Sequence, residues 1–271
     1  MLTIGWFSTG RDEAARQLLQ VVYQKVSTGE IKGKLDFVFS NREPGEAKES
    51  DLFLDLVQDY RIPLICFSYN KFKDSHDISS KTDGEMFPKW RLEYDREVMK
   101  RLNGFNPDLC VLAGYMLIVG EEMCHRYDMI NLHPATPEGP KGMWQEVIWT
   151  LIENKAVESG VLMNLVTPEL DRGPVITYCT YPIRGEPFDK YWQEVDGCSV
   201  AEIKIEQGES NALFKLIRQH GLVREFPLIV ATLKAFGQGE VKIKSGRVFD
   251  CQGRPIAGYN LSDEVNKAAG F

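Results

Sequence analysis

Up to residue 187 the chain alternates short apolar runs with longer amphipathic ones. Leu2–Ser8 is apolar and closes on Ser-Thr-Gly, which predicts a strand running into a turn. From Asp12 onward, Ala15, Leu18, Leu19, Val22 and Val26 follow helical spacing. The same reading predicts strands at 35–40, 62–67, 109–113 and 129–132, and helices at 51–60 and 90–102. Residues 68–88 are polar and turn-rich, predicting a long surface loop able to carry binding groups. Trp144, Val147, Ile148, Leu151 and Ile152 form another helical stripe, and 161–166 and 175–181 read as paired strands around a Leu-Asp-Arg-Gly-Pro turn. Repeated β-α-β units imply an α/β fold, a mainly parallel sheet flanked by helices. Ligands of such sheets gather at the carboxyl ends of strands, where 8–11, 113–119 and 131–134 fall.

Beyond 187 the rhythm breaks. Residues 188–209 are mixed and polar, 211–236 are helical, and 240–259 have hairpin character with Ser-Gly and Gln-Gly turns. The expected organisation is an α/β domain over 1–187, with 188–271 a C-terminal helical and hairpin extension packed on the same domain.

Composition narrows the classes. In 271 residues, 43% hydrophobic and 26% charged content is that of a soluble globular protein. A formal charge of −7 argues against nucleic acid as a partner, while one local pocket still suffices for a small phosphorylated ligand. No apolar stretch approaches the roughly 20 residues that span a bilayer, so no membrane role is expected. The amino-terminal residues lack the features of a secretory signal, so a cytoplasmic protein is expected. None of the six cysteines forms a C-x-x-C pair, and Cys66, Cys110 and Cys179 sit in strand-like runs. Reduced, mostly buried thiols are therefore expected. Four scattered histidines without H-E-x-x-H leave no catalytic metal in view.

The most informative segment is Ile130 to Gly139, INLHPATPEG. Asn131 and His133 stand two apart at the end of an apolar run, on one side of a strand as it opens into a loop stopped by Pro134 and Pro137. With a carboxylate from Asp171, an amide and an imidazole can polarise a carbonyl and move protons. Read alone, the pair fits a polar strand end equally well, and Asp171 fits a simple turn residue.

Together, LCVLAGYMLIV (109–119), MINLHPA (129–135) and the Asp171 segment resemble the folate-dependent formyltransferase family, and among its branches most nearly the one acting on glycinamide ribonucleotide. The resemblance covers roughly 1–185. It implies direct transfer of a formyl group from 10-formyltetrahydrofolate to a primary amine, with Asn131, His133 and Asp171 as catalytic residues and no metal. It assigns Met116, Leu117, Ile118 and Val119 to the folate's pteridine pocket and Arg91 to the neighbourhood of the folate's glutamate. It assigns the loop around Thr9, Gly10, Arg11 and Asp12 to the substrate phosphate. A solvated helix face accounts for Arg91 equally well, and helix capping for Asp12.

Several departures bear on the acceptor. Thr-Gly-Arg-Asp-Glu replaces the family's Gly-Asn-Gly-Ser-Asn type of loop, and Asn164 stands where a second histidine is common. Leu117 replaces an arginine, and PATPEGPKG replaces the usual loop after His-Pro. Arg218 and Arg224 are the candidates for the family's phosphate and ribose contacts in the last helix. Another small amine such as an amino sugar nucleotide, a non-catalytic folate or nucleotide binder, a formate-releasing hydrolase and assembly as a homodimer all stay open.

Overall fold

The computed structural model describes residues 1–75, 89–169 and 171–271. These fall into two compact units that interleave along the chain. One is Met1–Asn131 with Leu165–Gly173 and Phe236–Gln238; the other is Leu132–Asn164 with Pro174–Ala235 and Gly239–Phe271.

The first unit runs β1 (Leu2–Ser8), α1 (Glu13–Ser27), β2 (Gly33–Ser40), α2 (Lys48–Asp59), β3 (Leu64–Cys66), α3 (Tyr69–Ser75), α4 (Lys89–Arg101), β4 (Leu109–Leu112), α5 (Glu121–Arg126) and β5 (Met129–His133), whose last two residues pass into the other unit. Asp12 starts α1 by accepting the Ala15 N–H at 3.0 Å, and Ala15, Leu18, Leu19 and Val22 supply its buried stripe. The strands pair in the order β3-β2-β1-β4-β5, every pair parallel. The chain thus builds outward from β1 on one side and resumes on the other. In open α/β sheets such a reversal, here at the carboxyl ends of β1 and β4, is where ligands bind. Phe7, Phe37, Phe39, Tyr94 and Tyr115 fill the core beneath it, each fully buried aromatic stabilising the fold by roughly 2–3 kcal/mol.

The second unit contains α6 (Trp144–Glu153), β6 (Glu158–Leu165), β7 (Val175–Pro182), α7 (Asp189–Val195), α8 (Val200–Glu206), α9 (Ala212–Gln238), β8 (Val241–Lys244), β9 (Arg247–Asp250), β10 (Tyr259–Asn260) and α10 (Ser262–Ala268). The end residue of β6 and the last three of α9 belong to the first unit. β6 and β7 are antiparallel, β10 joins β7 in parallel, and β8 and β9 form the expected hairpin.

Three expectations need correction. Residues 69–75 are helical rather than loop: Ser68 Oγ accepts the Lys71 N–H, and Phe72 turns inward beside Phe67 and Tyr94. The rest of the expected loop, 76–88, lies outside the described residues, as does Leu170. The stretch 188–209 contains α7 and α8, each burying a single large side chain, Trp192 or Ile203, too few for a periodic signal. All six cysteines are free, but only Cys110 and Cys179 are buried, and Cys198 and Cys251 are exposed.

Candidate active site

Asn131 and His133 share one face of β5, two residues apart at its carboxyl end. Asn131 is half-buried, and His133 is buried at 6% exposure. The His133 ring places Nε2 3.3 Å from the Pro140 carbonyl, which can only accept, so the contact calls for a protonated Nε2. Pro140 lies in the PATPEGPKG loop, so that departure from the family reaches the imidazole directly.

Asp171 occupies the left-handed region, φ 53°, which Asp tolerates better than most residues. The turn around it is tightly held. Thr167 Oγ1 donates to the Glu169 carbonyl at 2.9 Å, and a Cβ at Gly173 would lie 1.7 Å from the Leu165 carbonyl oxygen. The Asp-x-Gly spacing therefore has a steric cause: only glycine lets the chain after Asp171 pass the end of β6.

The segment after β4 is held from α4. Arg91, Tyr94, Asp95, Val98 and Leu102 recur at helical spacing as a buried stripe, so a charged pair occupies core positions. Arg91 is 5% exposed and Asp95 1%, which excludes the solvated-face reading of Arg91. The guanidinium donates through Nη1 to Asp95 Oδ1 and through Nη2 to the Ile118 carbonyl. Asp95 Oδ2 accepts the Gly120 N–H at 2.7 Å. Burial pushes the Asp95 carboxyl above its ordinary value, outweighing the opposing pull of Arg91 and the Gly120 amide. Of the four residues assigned to the folate pocket, Met116 and Ile118 are turned outward (50% and 37% exposed), Leu117 packs partly on the core, and Val119 is buried within it.

The loop after β1 meets this segment. The Met116 N–H donates to Thr9 Oγ1 at 3.1 Å, and the Thr9 N–H to the Gly114 carbonyl at 3.2 Å. Gly10 has φ +62°, and a Cβ there would stand 2.8 Å from Phe53. Its amide donates to Ser8 Oγ at 3.1 Å. Asp12 caps α1, and its other oxygen lies 3.5 Å from Arg11 Nε, both side chains largely exposed. Thr9, Arg91 and the 116–119 segment are thus brought together in the first unit. Asp95 escaped the sequence reading, although its i, i+4 spacing from Arg91 was the available signal.

In the second unit, Asn164 is 4% exposed, with its side-chain carbonyl oxygen buried and unpartnered. Arg218 pairs with Glu225 at 2.7 Å and lies over the Trp144 ring. Arg224 is 2% exposed, between the Tyr181 and Phe271 rings at 4.2 Å each, donating to Asn266 Oδ1 and the His220 carbonyl. It is a packing residue, not an open phosphate contact.

The profile of the family described as Formyl transferase matches residues 14–187. A phosphoribosylglycinamide formyltransferase of Escherichia coli (strain K12) is 29% identical over 168 residues, 61% of this chain and 68% of its own. One from Haemophilus influenzae is 22% identical over 244 residues, 89% and 92% of the two chains. Among solved structures, the phosphoribosylglycinamide formyltransferase of Coxiella burnetii superposes with a TM-score of 0.64 at 20% identity. It covers 96% of this chain and 98% of that one, a likeness of fold.

Proposed function

The chain belongs to the formyl transferase family, and from that premise we propose that it transfers the formyl group of 10-formyltetrahydrofolate to the primary amine of glycinamide ribonucleotide, in the cytoplasm. In this reading the catalytic domain is 1–187, and the family match lies within it at 14–187. Residues 188–271 form its extension.

The amine attacks the formyl carbon, a C–N bond forms, and the carbonyl oxygen becomes an oxyanion. Asn131, through its amide N–H groups, and the protonated ring of His133 donate hydrogen bonds to that oxygen. Asp171 takes the proton released by the amine and passes it, through water, to the folate nitrogen as the original C–N bond breaks. No covalent enzyme intermediate or metal is needed. Met116 and Ile118 offer outward apolar surface suited to a flat heterocycle, with backbone groups between them for its polar edge. Leu117, Val119 and Arg91 shape that wall from behind. Because the Gly10 amide is engaged by Ser8 and the Ala15 N–H of α1 by Asp12, phosphate recognition falls to Arg11, with Thr9 and Asp12 holding the loop.

The observation carrying this reading is the Asn131–His133 pair at the end of β5, inside the family's matched span. Steady-state assay of folate product with glycinamide ribonucleotide tests it. Turnover by the wild type is expected, with His133→Ala and Asp171→Asn each lowering kcat roughly 100- to 1,000-fold while folate affinity changes little. Absence of turnover would remove the acceptor assignment.

A second reading keeps the chemistry and changes the acceptor to another small amine, such as an amino sugar nucleotide. It is favoured by the altered PATPEGPKG loop, whose Pro140 carbonyl lies 3.3 Å from His133 Nε2. Assay over an amine panel separates the two readings.

A further inference from the structure

We propose that the cavity between α6 and the 184–200 segment binds a free α-amino acid with a large apolar side chain, its carboxylate on Arg184 and its ammonium on Glu153. The cavity lies wholly within the second unit. It is independent of the formyl-transfer reading, since no residue assigned above to catalysis, folate or phosphate lines it.

The cavity measures about 520 Å³, a size that suits a small molecule. Its apolar wall comes from Ile152 and Trp192, both buried, with Val195 and Val200 half-buried beside them. Three of these four residues lie beyond 187, where the family match ends, so the wall is built mostly by the extension.

The charges around that wall divide into engaged and unengaged groups. Lys155 and Asp196 pair at 2.7 Å, and Asp189 accepts the Gly185 N–H at 2.8 Å. The Arg184 guanidinium lies 3.7 Å over the Trp192 ring, and donates through Nε to the Ala156 carbonyl at 3.2 Å and through Nη2 to the Lys155 carbonyl at 2.8 Å. Those contacts hold the planar fork in place and leave Nη1 without a partner among the described residues. Capping the end of α6 accounts for the two engaged arms but not for the open one. Glu153 is exposed and also has no partner among the described residues. A simple anion is disfavoured here, because the lining carries three carboxylates against two cations. A simple amine would leave Arg184 unanswered. A ligand with both charges at one end of an apolar body answers Arg184, Glu153 and the wall together.

The test crosses residue against ligand by titration calorimetry on the full chain. The probes are L-phenylalanine, 3-phenylpropionate, which lacks the ammonium, and 2-phenylethylamine, which lacks the carboxylate. L-Phenylalanine is expected to bind, with each truncated probe roughly 10- to 100-fold weaker, as for a charged hydrogen bond lost. Glu153→Gln should weaken L-phenylalanine by a similar factor and leave 3-phenylpropionate unchanged. Arg184→Lys should weaken L-phenylalanine and leave 2-phenylethylamine unchanged. Thermal unfolding of the ligand-free variants separates a lost site from a lost fold, and Glu153→Gln, at an exposed position, should keep the wild-type Tm. Cys198 lines the cavity and Cys251 does not, although both thiols are exposed. Saturating L-phenylalanine should therefore slow iodoacetamide labelling of Cys198 and leave that of Cys251 unchanged. Four results would each overturn the proposal: no heat from L-phenylalanine, 3-phenylpropionate binding as tightly as the amino acid, wild-type affinity in Glu153→Gln, or unprotected Cys198 in the saturated protein.

Discussion

Two buried arginines, one in each compact unit, are held in opposite ways. Arg91 has a carboxylate, Asp95, and through it a grip on a surface-facing segment. Arg224 is held instead by two aromatic faces, the side-chain oxygen of Asn266 and the carbonyl of His220. Asn266 lies in α10 and Phe271 ends the chain, so Arg224 joins α9 to the C-terminal residues. Both arginines carry a charge inside the protein, yet one is tied to the segment after β4 and the other fastens α9 to α10. Burial alone does not identify function; what the other end of the hydrogen-bond chain touches does.

The sharpest way to break this comparison is Arg224→Ala. Losing two desolvated cation–π faces and leaving two buried acceptors short of a donor should cost about 3 kcal/mol. Urea unfolding would show it as a lowered midpoint, while the folate KM moves less than about twofold, as expected for a residue whose partners are all packing groups. Unchanged stability with collapsed folate affinity would reverse the roles given to the two arginines.

Acid should separate the regions by sign. His220 packs against the Phe188 and Phe271 rings, and burial, helped by Arg224, lowers its pKa from the ordinary 6.5. A group depressed in the folded state supports stability above its unfolded pKa and loses that support as pH falls through the folded value. Denaturant midpoints should therefore drop on acidification below about 6.5 through this group, and His220→Gln should flatten the drop. Asp95 behaves oppositely. Its raised pKa means the folded state binds the proton more tightly, so its contribution is full below the unfolded carboxylate value and fades as pH rises through the folded one. Asp95→Asn should then cost more stability in acid than at neutral pH, and a cost independent of pH would contradict this assignment. The smallest effect concerns the thiols. Burial pushes Cys66, Cys124 and Cys179 up to about 11 each and Cys110 higher still, while Cys198 and Cys251 are exposed. Iodoacetamide at mildly alkaline pH should label Cys198 and Cys251 first and leave turnover intact, as read by peptide mapping and assay.

The parallel β-α-β half was legible because its periodic stripes are long: α1 and the strands ending at Ser8 and near Leu112 stand as the apolar pattern predicts. The short helices α3, α5, α7, α8 and α10 were not legible, since each buries one large residue or so, and one residue has no period. The same limit applied to the site. Asn131 and His133 were visible as a strand-end pair, but the burial of Arg91 required knowing that α4 turns its 91/95 edge inward. The closeness of Thr9 to Met116 depends on β1 and β4 being neighbours, a pairing between residues more than a hundred positions apart.

The Leu165 carbonyl pressed against Gly173 has a consequence for anyone wishing to retarget this protein. Randomising the neighbourhood of Asp171 would return mostly broken chains from position 173, whatever the selection. Arg172 is exposed, carries no such restriction and adjoins the carboxylate. Altered acceptor preference should first be sought there, at the one position of the tripeptide that evolution or a library can change without rebuilding the turn.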